Sequence, residues 1–256
     1  MSEVKSNRLN LYDYFGFPDR RQRDEAKQIF DVDKLRLITV NDANLCALDT
    51  YIEQYSAWSY NINNFSSHLG LHFLLMYYQH QHNPLDTIDL RKFQSPEGAH
   101  KIHFDTFAED TSLYLVSYFD KHIEMFNELY DLKQQSGKRY NLSRKSIINE
   151  MQKISTLKEL AAEYQNIEQS QAFKIIKEIR DNFVHNKSLS YYGMNVDKKK
   201  INGGIEYVSY NSKGISTEAT YHAMCELIKS YEQLCNSVNA FFNTRIEEAK
   251  SEGYEH

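Results

Sequence analysis

Apolar residues recur at helical spacing through most of the chain. Leu45, Leu48, Ile52, Tyr55, Ile62 and Phe65 advance by steps of three, four and seven, which sets them on one stripe of a helix that Asn41 or Asp42 can cap. A second helical piece is expected from Leu69 to Gln79. The stretch from His82 to Glu97 holds Pro84 and Pro96 and reads as an irregular connection. A helix over 105–132 carries Phe107, Leu113, Val116, Phe119, Ile123, Phe126 and Leu129. Asp105, Glu109 and Asp110 then fall in its first turns, where the helix dipole favours anions. Ser143 is placed to cap a helix over 144–154, and Thr156 with Glu159 has capping-box spacing for another. From Ser170, the positions Phe173, Ile176, Ile179 and Phe183 mark a further helix. Thr217 and Glu218 open a last one, with Met224, Leu227, Ile228, Tyr231, Leu234, Val238 and Phe241 as its buried stripe.

Two stretches depart from this period. Residues 34–40, KLRLITV, alternate enough to predict a short strand. Gly203-Gly204 lies between Lys200-Ile201 and Ile205–Tyr210, the pattern of a small β-hairpin near 198–212. The fold class is therefore mainly α, a helical bundle with a small hairpin insertion. Only 3 prolines and 9 glycines interrupt the chain, which leaves long stretches free to be helix. No repeat or linker divides it. The expected organisation is one helical domain over 41–256 behind an N-terminal extension, 1–40, whose charge run Asp19–Glu25 reads as a solvated face.

Composition narrows the function classes. A net charge of −5 excludes a basic nucleic-acid coat, yet leaves room for RNA at a small site, because the phosphate attraction depends on local contacts. The 19 Tyr and 14 Phe favour a ring-rich core over a base-stacking platform. Cys46, Cys225 and Cys235 form no CxxC pair, as expected of reduced thiols in a cytoplasmic protein. The N-terminal residues MSEVKSNRLN carry no apolar core of a signal peptide. The run Leu69–Tyr78 is broken by Gly70 and His72 and is too short to span a bilayer, so no membrane association is expected.

The densest chemistry lies in Arg180-Asp181-Asn182-Phe183-Val184-His185. Asp181 and His185 stand at i and i+4 and share a helix face, whereas Arg180 and His185 are set about 140° apart by five helical steps. Those two can meet at one phosphate only if the helix ends near His185, as Asn186, Lys187 and Ser188 suggest, or if two subunits face each other. An Arg and a His at a helix end also serve structurally, by capping the last carbonyls. Asp120 lies on an apolar face and needs a partner there: Arg180 or His185 across the core, or a Lys or water at the boundary. His68 and His72 have the spacing of a helical zinc pair, but without a HExxH glutamate, and six histidines (His68, His72, His80, His82, His100 and His103) read as ordinary surface and core residues. Lys198-Lys199-Lys200 either steers RNA or is a solvated turn. No phosphate-binding glycine loop, nucleophile elbow or nearby Cys–His pair is present, so no cofactor and no metal are expected.

RDNFVH resembles the motif of the HEPN superfamily, in which Arg is followed by Asn, Asp or His, and a His stands four to six residues after the Arg. The setting is similar too, with an acid-bearing long helix upstream, the motif near the end of a late helix and a final helix packing back. The resemblance covers residues 41–250, and within the superfamily it points to bacterial stand-alone proteins of toxin–antitoxin or phage-defence systems. It implies metal-independent RNA cleavage. Arg180 would hold the phosphate, His185 would act as general base or acid, and Asp181 or Asn182 would orient His185 or contact substrate. Asp120 would be the upstream polar residue that supports the pair. The resemblance also implies a homodimer with facing motifs and a possible cognate antitoxin. The alternative is a catalytically inactive HEPN-like module that binds nucleotide or a partner protein. Some HEPN toxins carry a Tyr two residues after the His, the target of an adenylylating partner; here that residue is Lys187, with Tyr191 and Tyr192 close by.

Overall fold

Capping chemistry sets where the helices begin. A computed structural model describes residues 14–87, 95–135, 143–185, 189, 195–201, 204–210 and 216–253. Nine helices and two strands occur among them. They are α1 (Arg20–Ile29), α2 (Ala43–Leu48), α3 (Thr50–His80), α4 (Pro96–Leu129), α5 (Leu132–Gln135), α6 (Arg144–Met151), α7 (Lys158–Gln169), α8 (Gln171–His185), β1 (Asn195–Ile201), β2 (Gly204–Tyr210) and α9 (Thr217–Gly253). The protein is mainly α, as the periodicity predicts.

Several boundaries differ from the sequence expectation. The charge run at 19–25 opens α1: Asp19 Oδ1 accepts from the Gln22 amide at 2.8 Å, and Gln22 Oε1 accepts from the Asp19 amide at 2.9 Å, a reciprocal cap. α3 is one helix of 31 residues and continues through Gly70. A Cβ at Gly70 would lie 3.3 Å from the Val32 side chain, so the glycine admits the close approach of that segment. α4 starts at Pro96, earlier than expected. Proline at a first helical position lacks an N–H that would be unpaired anyway, and Ser95 Oγ accepts from the Gly98 amide at 3.1 Å. Asp105, Glu109 and Asp110 therefore lie well inside α4, beyond the first turn. Ser143 caps α6 as expected, accepting from the Ser146 amide. Ser170 caps α8 through the Phe173 amide at 3.1 Å. β1 and β2 pair antiparallel with Ile201 opposite Gly204, so Gly204 belongs to a strand.

The chain divides into two compact units. The first takes in Met1–Gln28, Leu71–Leu113 and Ile175–Met224, and the second Ile29–Gly70, Tyr114–Lys174 and Cys225–His256. In the second unit the expected stripes are buried at Ile52, Tyr55, Ile62, Val116, Phe119, Ile123, Phe126, Leu227, Tyr231, Leu234 and Val238. Phe242 is buried there, whereas Phe241, the expected stripe residue, is only half-buried. The rings serve the core: Tyr55 stacks on Phe242 with centroids 3.7 Å apart, and Tyr118, Tyr164 and Tyr231 are fully buried.

The predicted strand over 34–40 is not one. Residues 32–35 form a 3-10 turn, and the chain then runs on without a strand partner. Its alternation is real, since Leu35 and Leu37 are buried, but its backbone is satisfied by side chains. Asn63 of α3 accepts from the Leu37 amide at 2.8 Å and donates to the Leu37 carbonyl at 2.9 Å. Asn239 of α9 accepts from the Ile38 amide at 2.9 Å and donates to the Arg36 carbonyl at 2.9 Å. The Tyr118 and Tyr55 hydroxyls donate to the carbonyls of Leu35 and Ile38. Two amide side chains thus stand in for neighbouring strands.

In the first unit, Phe73, Met76, Ala99, Phe104, Ala108, Ile176, Ile179 and Met224 form the core. This unit also buries charge. Lys101 Nζ lies 2.7 Å from Asp105 Oδ1, with both side chains almost wholly enclosed. Gln79 Oε1 pairs with the His100 ring at 2.8 Å, and His80 stacks on Tyr221 while bonding Glu218 at 3.0 Å. Among the described residues, no helix is long and apolar enough to cross a membrane.

Candidate active site

α8 carries the Arg180–His185 stretch at its C-terminal end. Its apolar face is buried at Phe173, Ile176 and Ile179 and then stops: Phe183 is 38% exposed and Val184 50% exposed. His185 is the last residue of the helix and is exposed. A cation suits this position, because the last carbonyls of a helix point outward without partners. The helix persists through His185, so Arg180 and His185 of one chain project about 140° apart. Asn186, Lys187 and Ser188, expected to end the helix, lie outside the described residues, as do Tyr191 and Tyr192.

Asp181 is the electrostatic hub. Its Oδ2 accepts from Lys177 Nζ at 2.6 Å, and its Oδ1 lies 3.2 Å from Arg180 Nε. That second contact is an ion pair without hydrogen-bond geometry, and the buried Arg180 Nε has no hydrogen-bond partner among the described residues. Burial raises the Asp181 carboxyl, but the Lys177 bond, Arg180 and His185 together outweigh it and hold the group below its ordinary range. Asp181 is thus a carboxylate at neutral pH. Lys177, Asp181 and His185 follow one another at four-residue steps along one face, with Arg180 on its flank and the half-buried Asn182 beside it. Lys177 is the functional neighbour that no motif marks, although its i−4 spacing from Asp181 is visible in the chain.

Asp120 is placed otherwise than by a bond to Arg180 or His185. It belongs to the second unit, where Arg144 Nε donates to its Oδ1 at 2.6 Å. The Arg144 guanidinium lies over the rings of Phe119 at 5.6 Å and Phe173 at 5.0 Å. The partner is therefore an arginine anchored on aromatic faces, and Asp120 joins α6 to α4.

His68 and His72 also have separate partners: His68 stacks on Tyr114, and His72 lies 3.3 Å from Asp110. No group of three metal-ligating side chains occurs among the described residues.

Glu109 is more than the helix-dipole partner that its sequence position predicts. It stands on the same face of α4 as Lys101 and Asp105, is 4% exposed, and its Oε1 accepts from the backbone amide of Leu189, four residues after His185. Burial raises its carboxyl to about 7, assisted by Asp105 and Asp110 and opposed by the Leu189 bond and Lys101.

The family model of the Cthe2314-like HEPN proteins matches residues 58–245, a span that contains all of α8 and most of the long helices. The chain belongs to this HEPN family. No curated protein and no solved structure matches it. The HEPN match takes in Asp120 and the whole RDNFVH stretch, so the resemblance seen in six residues extends over most of the fold.

Proposed function

We propose that this HEPN protein is a metal-independent endoribonuclease whose site forms between the α8 ends of two copies. The observation that carries the proposal is the exposed end of α8, where Arg180, Asp181 and His185 gather in a helix that stays wound. One chain sets Arg180 and His185 on different faces, and a second copy with its α8 end opposed would bring the Arg180 of one to the His185 of the other. The exposed Phe183 and Val184 between them are the kind of apolar surface that an interface covers.

In this site the 2′-hydroxyl of RNA attacks the adjacent phosphorus, the new 2′-O–P bond forms, and the bond to the 5′-oxygen breaks. His185 takes the proton from the 2′-hydroxyl or delivers one to the leaving oxygen, the acid–base task for which imidazole side chains are most often used. Arg180 neutralises the charge that grows on the phosphoryl oxygens. Asp181, fixed by Lys177, sits one turn before His185 on the same helix face. An RNA-cutting effector of the toxin–antitoxin or phage-defence kind follows from this reading, with an antitoxin as its natural partner.

The test is cleavage of RNA in EDTA by the purified full chain. Cleavage that disappears in Arg180→Ala and His185→Ala, while both variants keep the wild-type circular dichroism, supports the enzyme. RNA left intact by wild type sinks it. Binding of RNA without cutting, lost in the same variants, would favour a binding module instead.

A further inference from the structure

We infer that Glu109 is a positioning residue of the RDNFVH site: its buried carboxyl group holds the chain at Leu189 and thereby fixes how α8 ends at His185. This rests on the ribonuclease reading above for its catalytic consequence, and on geometry alone for the anchor.

Leaving a carboxyl group inside a core is costly unless its oxygens are bonded. Glu109 is that group here, at 4% exposure in the middle of α4. The dipole cannot explain it, because the helix begins back at Pro96 and the dipole field fades within the first turn. The cation nearest to it along the same face, Lys101, is engaged by Asp105 at 2.7 Å. The bond Glu109 does make reaches across 80 residues of sequence to the Leu189 amide. Leu189 follows His185 by four residues, so the donor sits one short step beyond the proposed general acid or base. A fixed point there limits the directions in which His185 can face. Burial above all leaves this carboxyl titrating close to neutrality rather than as a permanent anion, with the Leu189 bond opposing it and the charged groups that act on it, Asp105, Asp110 and Lys101, adding smaller effects. A carboxyl kept in so unfavourable a place is explained by the backbone bond it makes.

The experiment compares Glu109→Ala, Glu109→Gln and wild type as full chains. Two readouts are taken: hydrogen exchange of the Leu189 amide, and steady-state RNA cleavage. Glutamine keeps a side-chain oxygen that can accept from Leu189, whereas alanine does not. The expected result is that Glu109→Ala loses protection at Leu189 and lowers kcat at least tenfold with KM within about twofold, while Glu109→Gln keeps protection and rescues kcat. Equal protection at Leu189 in Glu109→Ala and wild type overturns the anchor, and so does a Glu109→Gln variant as impaired as alanine. If Glu109→Ala does not fold, Leu189→Pro removes the donor and leaves the carboxyl group in place; unchanged kcat in that variant overturns the positioning role. Wild type that never cuts RNA removes the ribonuclease reading, and the exchange measurement then still decides the anchor by itself.

Discussion

Lys177 Nζ lies 2.6 Å from Asp181 Oδ2, one helical turn before the exposed His185. The pair keeps a carboxylate ionised at neutral pH beside a group proposed to carry a proton. Lys177→Ala should therefore raise the Asp181 pKa toward its ordinary range, because the hydrogen bond and one of its cations are gone. Carbon-detected NMR titration of the Asp181 carboxyl reads this directly. The folded pKa is depressed, so the stability this group contributes is present above its unfolded pKa and is lost as pH falls through the folded value. In Lys177→Ala that contribution should shrink, and what remains should be lost over a narrower range that ends at a higher pH.

Glu109 gives the opposite sign. Its folded pKa of about 7 exceeds the ordinary 4.5, so the folded protein holds a proton that the unfolded chain has released. Its contribution is fully present below about pH 4.5, declines as pH rises toward about 7, and is flat above. Urea unfolding of Glu109→Gln should show this slope removed, with a gain over wild type of about 1–3 kcal/mol at pH 8 and little at pH 4.5. A wild-type stability that rises between those two values, with Glu109→Gln parallel to it, would contradict the assignment.

Asp120 and Arg144 should respond unequally. Asp120 is half exposed, and Asp120→Asn should cost under about 1 kcal/mol and leave RNA cleavage unchanged. Arg144 covers two aromatic rings, and Arg144→Ala should cost about 1–2 kcal/mol more than that. A loss of cleavage in folded Asp120→Asn would return this residue to the catalytic site.

Asn63 and Asn239 each satisfy two backbone groups, so Asn63→Ala and Asn239→Ala should each cost about 1–3 kcal/mol in chemical denaturation. Asn239→Asp replaces a donor by an acceptor facing the Arg36 carbonyl and should be worse than alanine.

Burial pushes the Cys235 thiol up to about 12, against a lowering by its Tyr118 hydrogen bond. At pH 8 a thiol reagent should label the half-buried Cys46 and Cys225 first, with Cys235 reacting only on unfolding.

The long helices were legible because their stripes are long and regular, as at Ile52–Ile62 and Met224–Val238. Pattern misleads where local chemistry overrides it. α1 carries too few apolar residues for a stripe, and only the Asp19–Gln22 reciprocity marks it. Pro96 reads as a breaker until its position at a helix start is known. Residues 34–40 alternate like a strand, and nothing in periodicity tells that Asn63 and Asn239 replace the neighbouring strands. The site shows the same division. RDNFVH is contiguous and could be recognised, and Lys177 was within reach of an i−4 count. The bond from Glu109 to Leu189 joins residues 80 apart and leaves no mark in either segment. Nor does the ring-mounted Arg144 that occupies Asp120.

The asparagine pair that clasps residues 36–38 also sets an order of events. A chain grows from its N-terminus, and Asn239 lies 201 residues after Ile38. At ordinary ribosomal speeds that separation lasts roughly 10–40 s. Throughout that interval the Ile38 amide and the Arg36 carbonyl have only water, or a chaperone, to bond. The second unit is therefore finished by its last helix, and a nascent chain halted before Asn239 would present an open, apolar-backed strip at Leu35–Leu37 to whatever else is in the cell.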